Sequence, residues 1–236
     1  MTPPAPPLRA EAVLFDKDGT LFDFAATWEA WARSFLMRVS EGDADRASAA
    51  GHRIGFDLAA GRFDTDSIVI AGTPGEVATA LAPLFPAMGR AELIEMLNDE
   101  AGAAPQAEAV PLQPFLSGLR DRGLKLGVAT NDAEVPARAH LGAAGVIGAF
   151  DFIAGFDSGF GAKPEPGQLL GFADAIGVDP GRVVMVGDST HDLVAGRRAG
   201  MQTVGVLTGM AGSDELAPLA DTVLPHIGHL TDWLHG

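Results

Sequence analysis

Six short apolar runs, at residues 12–15, 124–129, 150–154, 183–186, 203–207 and 222–224, constrain the fold of this chain more than any other feature. Most are unbroken rather than alternating. That is how strands buried on both faces read, and such strands belong to parallel sheets. Helical patterns lie between them. Residues 114–122 and 133–144 flank the second run; residues 166–176 and 192–199 flank the fourth, the last closed by Gly200 as a C-cap. This alternation predicts an α/β fold whose core is a three-layer, doubly wound parallel sheet.

Residues 24–108 break that rhythm. Residues 24–40 read as a helix with Trp28, Trp31 and Phe35 on one side. Thr73-Pro74-Gly75-Glu76 is a helix start, with Thr as N-cap, Pro at the first position and Glu at the third. Residues 89–101 read as another helix, and residues 103–114, with three prolines, as the returning linker. The expected organisation is a catalytic core from residues 1–22 and 109–236, interrupted by an α-helical cap at 23–108. A chain of 236 residues is long enough for both. The Pro-rich residues 2–10 are expected to be a frayed tail. The cap enters beside the carboxyl end of the first strand, where α/β sheets bind their ligands.

Four motifs follow strands and carry candidate chemistry. Asp16 and Asp18, in Asp-Lys-Asp-Gly-Thr, can face one crevice, with Gly19 turning the chain away. Two close carboxylates repel, which favours a bound cation or a proton on one of them. Both outcomes suit phosphoryl transfer: one carboxylate attacks phosphorus while Mg²⁺ screens the anions, and the other protonates the leaving oxygen. A calcium loop does not fit, because Gly falls at its fourth position and Thr27 at its twelfth. A solvated turn remains the alternative. Thr130 and Asn131 end the second strand and open a helix, as a phosphate seat or as an ordinary N-cap. Lys163 lies in Gly159-Phe160-Gly161-Ala162-Lys163-Pro164, placed to neutralise a phosphate oxygen or to sit at the surface. Asp188 and Asp192 flank a turn, as hard-cation ligands or as helix caps.

Composition removes several classes. A formal charge of −15, with no basic cluster beyond pairs such as Arg197-Arg198, argues against nucleic acid. No run approaches the roughly 18 apolar residues that span a bilayer. No basic stretch followed by an apolar run begins the chain, so a cytoplasmic protein is expected. There is no cysteine, which excludes disulfides, thiolate zinc sites and a cysteine nucleophile. His52, His140, His226, His229 and His235 show no metal spacing, and His191 is read as a supporting or solvent-facing residue.

In combination the four motifs resemble the haloacid dehalogenase superfamily over residues 12–23 and about 110–210. The stretch 157–164 resembles its phosphoglycolate-phosphatase-type members. The resemblance implies a Rossmann-like core with a helical cap, and Mg²⁺ as cofactor. It implies Asp16 as the nucleophile that forms an aspartyl-phosphate. Asp18 protonates the leaving group, activates water, and offers its backbone carbonyl to the metal. Thr130 and the Asn131 backbone hold phosphoryl oxygens, Lys163 balances charge, Asp188 binds the metal, and Asp192 supports Asp188 or coordinates the metal through water. Phe24 follows Asp23 where many relatives carry Ser, near the hinge and the substrate.

The function so implied is hydrolysis of a small phosphorylated metabolite, 2-phosphoglycolate being the single best guess, by a monomer or homodimer. A sugar phosphomutase of the same superfamily is the alternative, and a catalytically silent binding domain a further one. A dehalogenase would not be expected to retain Asp18, and a phosphonate-cleaving relative needs a cap lysine that residues 24–108 lack. In the cap, Arg53 and Arg62 are candidates for a substrate carboxylate or second phosphate, against the alternative of exposed salt-bridging arginines.

Overall fold

A computed structural model describes residues 8–235. β1 (Ala12–Phe15) is followed by α1 (Phe24–Val39), α2 (Ala44–Arg53), the short strands β2 (Phe56–Asp57) and β3 (Arg62–Phe63), α3 (Pro74–Leu81) and α4 (Arg90–Ala103). Then come α5 (Leu112–Asp121), β4 (Lys125–Ala129), α6 (Glu134–Ala143), β5 (Phe152–Ala154), α7 (Gly167–Ile176), β6 (Val183–Gly187), α8 (Thr190–Ala199), β7 (Gln202–Val206), α9 (Ser213–Leu216), β8 (Thr222–Leu224) and α10 (Leu230–His235). The larger sheet has the order β5-β4-β1-β6-β7-β8 and is parallel throughout. β1 is central: the chain winds from it through β4 to β5, then returns to β6 and winds the other way. The crevice between the carboxyl ends of β1 and β6 is therefore the topological switch point.

The apolar runs are unbroken because both faces of the sheet are covered. Val13 and Phe15 pack with Leu112, Leu116 and Leu119 of α5 and with Leu230 and Leu234 of α10. Ala12 and Leu14 face the other way, onto Leu169 and Phe172 of α7 and Ala195 of α8. Of the Pro-rich start, residues 2–7 lie outside the described residues. The part that is described is not frayed: Arg9 N–H donates to the Leu234 carbonyl at 3.1 Å, and Ala10 is buried.

The insertion has its own apolar cluster, in which Trp28, Trp31, Phe35 and Leu36 of α1 meet Leu81 of α3 and Leu93 and Leu97 of α4. α3 starts as the sequence predicts: Thr73 Oγ1 accepts from Glu76 N–H, and the Glu76 carboxylate accepts from Thr73 N–H at 2.7 Å. The α2 helix and the β2–β3 hairpin are additional. The buried residues of α2 are Ala47, Ala50 and Gly51, too small to give an apolar periodicity. The two crossings between core and insertion lie side by side, with Asp23 N–H donating to Ala107 O at 2.8 Å and Ala109 N–H to Leu21 O at 2.9 Å. Among the described residues no helix is long and apolar enough to cross a membrane.

Candidate active site

The residues just beyond β1 and β6 converge. Asp16, Asp188 and Asp192 each place a carboxylate oxygen within 4.8 Å of the others, and all three are buried. Lys163 Nζ donates to Asp16 Oδ1 at 2.7 Å and to Asp192 Oδ1 at 2.6 Å. Thr20 Oγ1 donates to Asp188 Oδ1 at 3.3 Å. Gly19 makes this approach possible: its φ is +78°, and a Cβ there would collide with the Asp188 carboxylate. Asp192 lies in the first turn of α8, which starts at Thr190 rather than at Asp192 as the sequence predicts. Ser189 is the N-cap; its N–H and Oγ donate to Asp192 Oδ2 at 3.0 and 2.6 Å. One carboxylate thus serves the helix start with one oxygen and Lys163 with the other.

Fully ionised, the three carboxylates beside one ammonium would leave two negative charges uncompensated (three minus one). Burial pushes the Asp16 carboxyl up to about 7; Lys163 opposes this, and Asp192 and Asp18 add to it. Burial, with Asp16 and Asp192 as neighbours, raises Asp188 well above the usual carboxylate range. Burial opposes the charge on Lys163, but Asp16 and Asp192 outweigh it and hold the ammonium above its ordinary pKa. A hard divalent cation fits this all-oxygen, charge-deficient cluster.

The Asp18 carboxylate is not part of that cluster. Lys17, wholly buried, donates from Nζ to Asp18 Oδ1 at 2.7 Å and lies 3.4 Å from Asp132 Oδ2. Its third contact is His140 Nδ1 at 3.0 Å, and His140 Nε2 is 2.7 Å from the Ala101 carbonyl in α4. Since an ammonium only donates and a carbonyl only accepts, His140 is the neutral tautomer with its proton on Nε2. Burial, and then the Lys17 charge, lower its pKa to about 4. Burial raises Asp132 to about 6 against the opposing pull of Lys17. Sequence reasoning gave no role to Lys17, Asp132 or His140. A signal for Lys17 existed in its place between two acids directly after a buried strand, where a buried charge needs partners.

Asp16, Asp18, Thr130, Asn131, Lys163 and Asp192 line one pocket, roofed by the insertion. The Asn131 side chain accepts from Lys163 N–H at 2.8 Å and donates to the carbonyls of Lys163 and Ala71, so it fixes the lysine loop and ties the roof to the core. Thr130 Oγ1 accepts from Asp132 N–H at 3.0 Å. Half-buried His191 is in the pocket wall. Arg53 and Arg62 are not. Arg53 ends α2, exposed, with Nε donating to the Ala80 carbonyl at 3.2 Å. Arg62 is exposed in β3 opposite Asp57. Both arginines are exposed, and neither is among the residues that line the chamber.

The sequence profile of the haloacid dehalogenase-like hydrolases matches residues 10–200. The chain belongs to this family. The haloacid dehalogenase-like relatives include a Dickeya dadantii protein named Probable phosphatase IndB, 30% identical over 86% of this chain and 84% of its own length. A phosphoglycolate phosphatase of Rhodospirillum rubrum is 30% identical over 95% of this chain and 90% of its own. Among solved structures, a predicted phosphoglycolate phosphatase from Haemophilus somnus superimposes with a TM-score of 0.72 at 19% identity, covering 95% of this chain and 98% of that one. The haloacid dehalogenase-like fold, with a helical cap over a six-stranded parallel sheet, is the architecture the motifs imply.

Proposed function

We propose that this haloacid dehalogenase-like hydrolase is a Mg²⁺-dependent phosphatase of a small phosphorylated metabolite, working through an aspartyl-phosphate. The observation that carries the reading is the buried cluster of Asp16, Asp188 and Asp192, with Lys163 paired to Asp16 and Asp192, beside a pocket lined by Asp16, Asp18, Thr130, Lys163 and Asp192. Asp16, Asp188 and Asp192, with the Asp18 backbone carbonyl, would hold Mg²⁺, which supplies charge screening between the attacking carboxylate and the phosphoryl oxygens.

Lys163 occupies Asp16 Oδ1, which leaves Oδ2 as the nucleophile. Oδ2 attacks phosphorus, the bond from phosphorus to the ester oxygen breaks, and Asp18 gives its proton to that oxygen as the alcohol leaves. Water then attacks the phosphoryl group while Asp18 takes its proton. The bond to Asp16 breaks, and phosphate and a free carboxylate result. Lys17 fixes Asp18 by Oδ1, so Oδ2 is the oxygen that exchanges the proton. Thr130 and the Asn131 N–H hold phosphoryl oxygens, while the Asn131 side chain keeps Lys163 in place.

Mg²⁺-dependent phosphate release from p-nitrophenyl phosphate tests this, together with the acid-stable fraction of phosphorylated protein. Asp16→Asn is expected to abolish both, and chelation of the metal to abolish turnover. A variant that kept turnover would rule out Asp16 as nucleophile. 2-Phosphoglycolate, the substrate in the names of several relatives, is the reference ester.

A further inference from the structure

The organic part of the substrate must occupy the chamber between the acidic cluster and the insertion. Its upper wall is apolar: Phe24, Trp28 and Trp31 from α1, Val69 from the loop before α3, Val77 from α3, and Leu97 from α4. Phe24 is buried and stacks on Trp28 with ring centroids 6.3 Å apart. The one lysine or arginine in the lining is Lys163, already paired with Asp16 and Asp192. Asp16, Asp18, Asp132 and Asp192 also line the space. A second anion on the substrate would be desolvated against aromatic rings, beside carboxylates, with no unpaired lysine or arginine in the lining to offset it.

We infer that the substrate is a phosphate monoester whose alcohol portion is uncharged, with an apolar or aromatic body. This rests on the phosphatase reading of the same site, and it disfavours both 2-phosphoglycolate and the sugar bisphosphates a mutase would use.

The test compares kcat/KM of the Mg²⁺-loaded protein for 2-phosphoglycolate, its uncharged isostere 2-phosphoglycolamide, and benzyl phosphate. The amide and the benzyl ester are expected to exceed 2-phosphoglycolate by roughly tenfold or more. Asn98→Arg, which adds a cation to the wall, is expected to shift the ratio of glycolate to benzyl ester toward the glycolate by a similar factor. Equal or faster hydrolysis of 2-phosphoglycolate by the wild-type protein would overturn the inference, whatever the variant does. No phosphate release from any ester, p-nitrophenyl phosphate included, would instead overturn the phosphatase reading beneath it.

Discussion

At the scale of single residues, His140 connects the catalytic floor to the roof. It accepts from Lys17, which holds Asp18, and donates to the last turn of α4 through the Ala101 carbonyl. It is folded as the neutral ring with a pKa near 4, against 6.5 in an unfolded chain. Between those values the unfolded state binds more protons, so this contribution to stability is present above pH 6.5 and is lost as pH falls toward 4. Urea midpoints at pH 7 and pH 5 should show the wild type losing on the order of 2 kcal/mol more than His140→Gln. Equal losses would place the titration elsewhere. Asp16, Lys163 and Asp188 were legible because each follows a strand or lies in a loop with recognisable spacing. His140 was not, because a lone histidine on a helix has no local signal for a partner 123 residues away.

At the scale of elements, α8 shows how a helix start serves chemistry. The sequence reading put the start of this helix at Asp192, but Ser189 supplies the cap and Asp192 closes the reciprocal box from inside the first turn. The acid is thereby held at both oxygens before any metal arrives. Ser189→Ala is expected to cost about 1 kcal/mol in stability. It should also weaken Mg²⁺ affinity about tenfold, as loss of a ligand's supporting hydrogen bond does. Isothermal titration with Mg²⁺ and thermal unfolding read the two separately; unchanged affinity would mean the cap serves the helix alone. The strands were easy to read because burial on both faces leaves apolar runs. The insertion was harder: α1, α3 and α4 carry large side chains or a capping box, whereas α2 and the hairpin pack through Ala, Gly and single phenylalanines.

At the scale of the molecule, the formal charge of −15 sets how an anionic ester arrives. Lys163 acts only at contact distance, so the long-range field repels the substrate. Raising ionic strength from about 0.01 M to about 0.1 M shortens the Debye length from about 30 Å to about 10 Å. We expect kcat/KM to rise over this range with kcat unchanged, the reverse of electrostatic steering; a fall would point to a local positive entry path. The core architecture was legible in the alternation of strand and helix, but the chemistry of the roof was not, because it depends on which aromatic faces turn inward. The side-by-side crossings at Leu21–Asp23 and Ala107–Ala109 have a consequence for the history of such a chain. A segment whose ends leave and re-enter at one point is, to the sheet, a single closed loop, and the entropy of closing a loop grows only with the logarithm of its length. The roof can therefore be lengthened, shortened or exchanged for another while the floor beneath it keeps the same register.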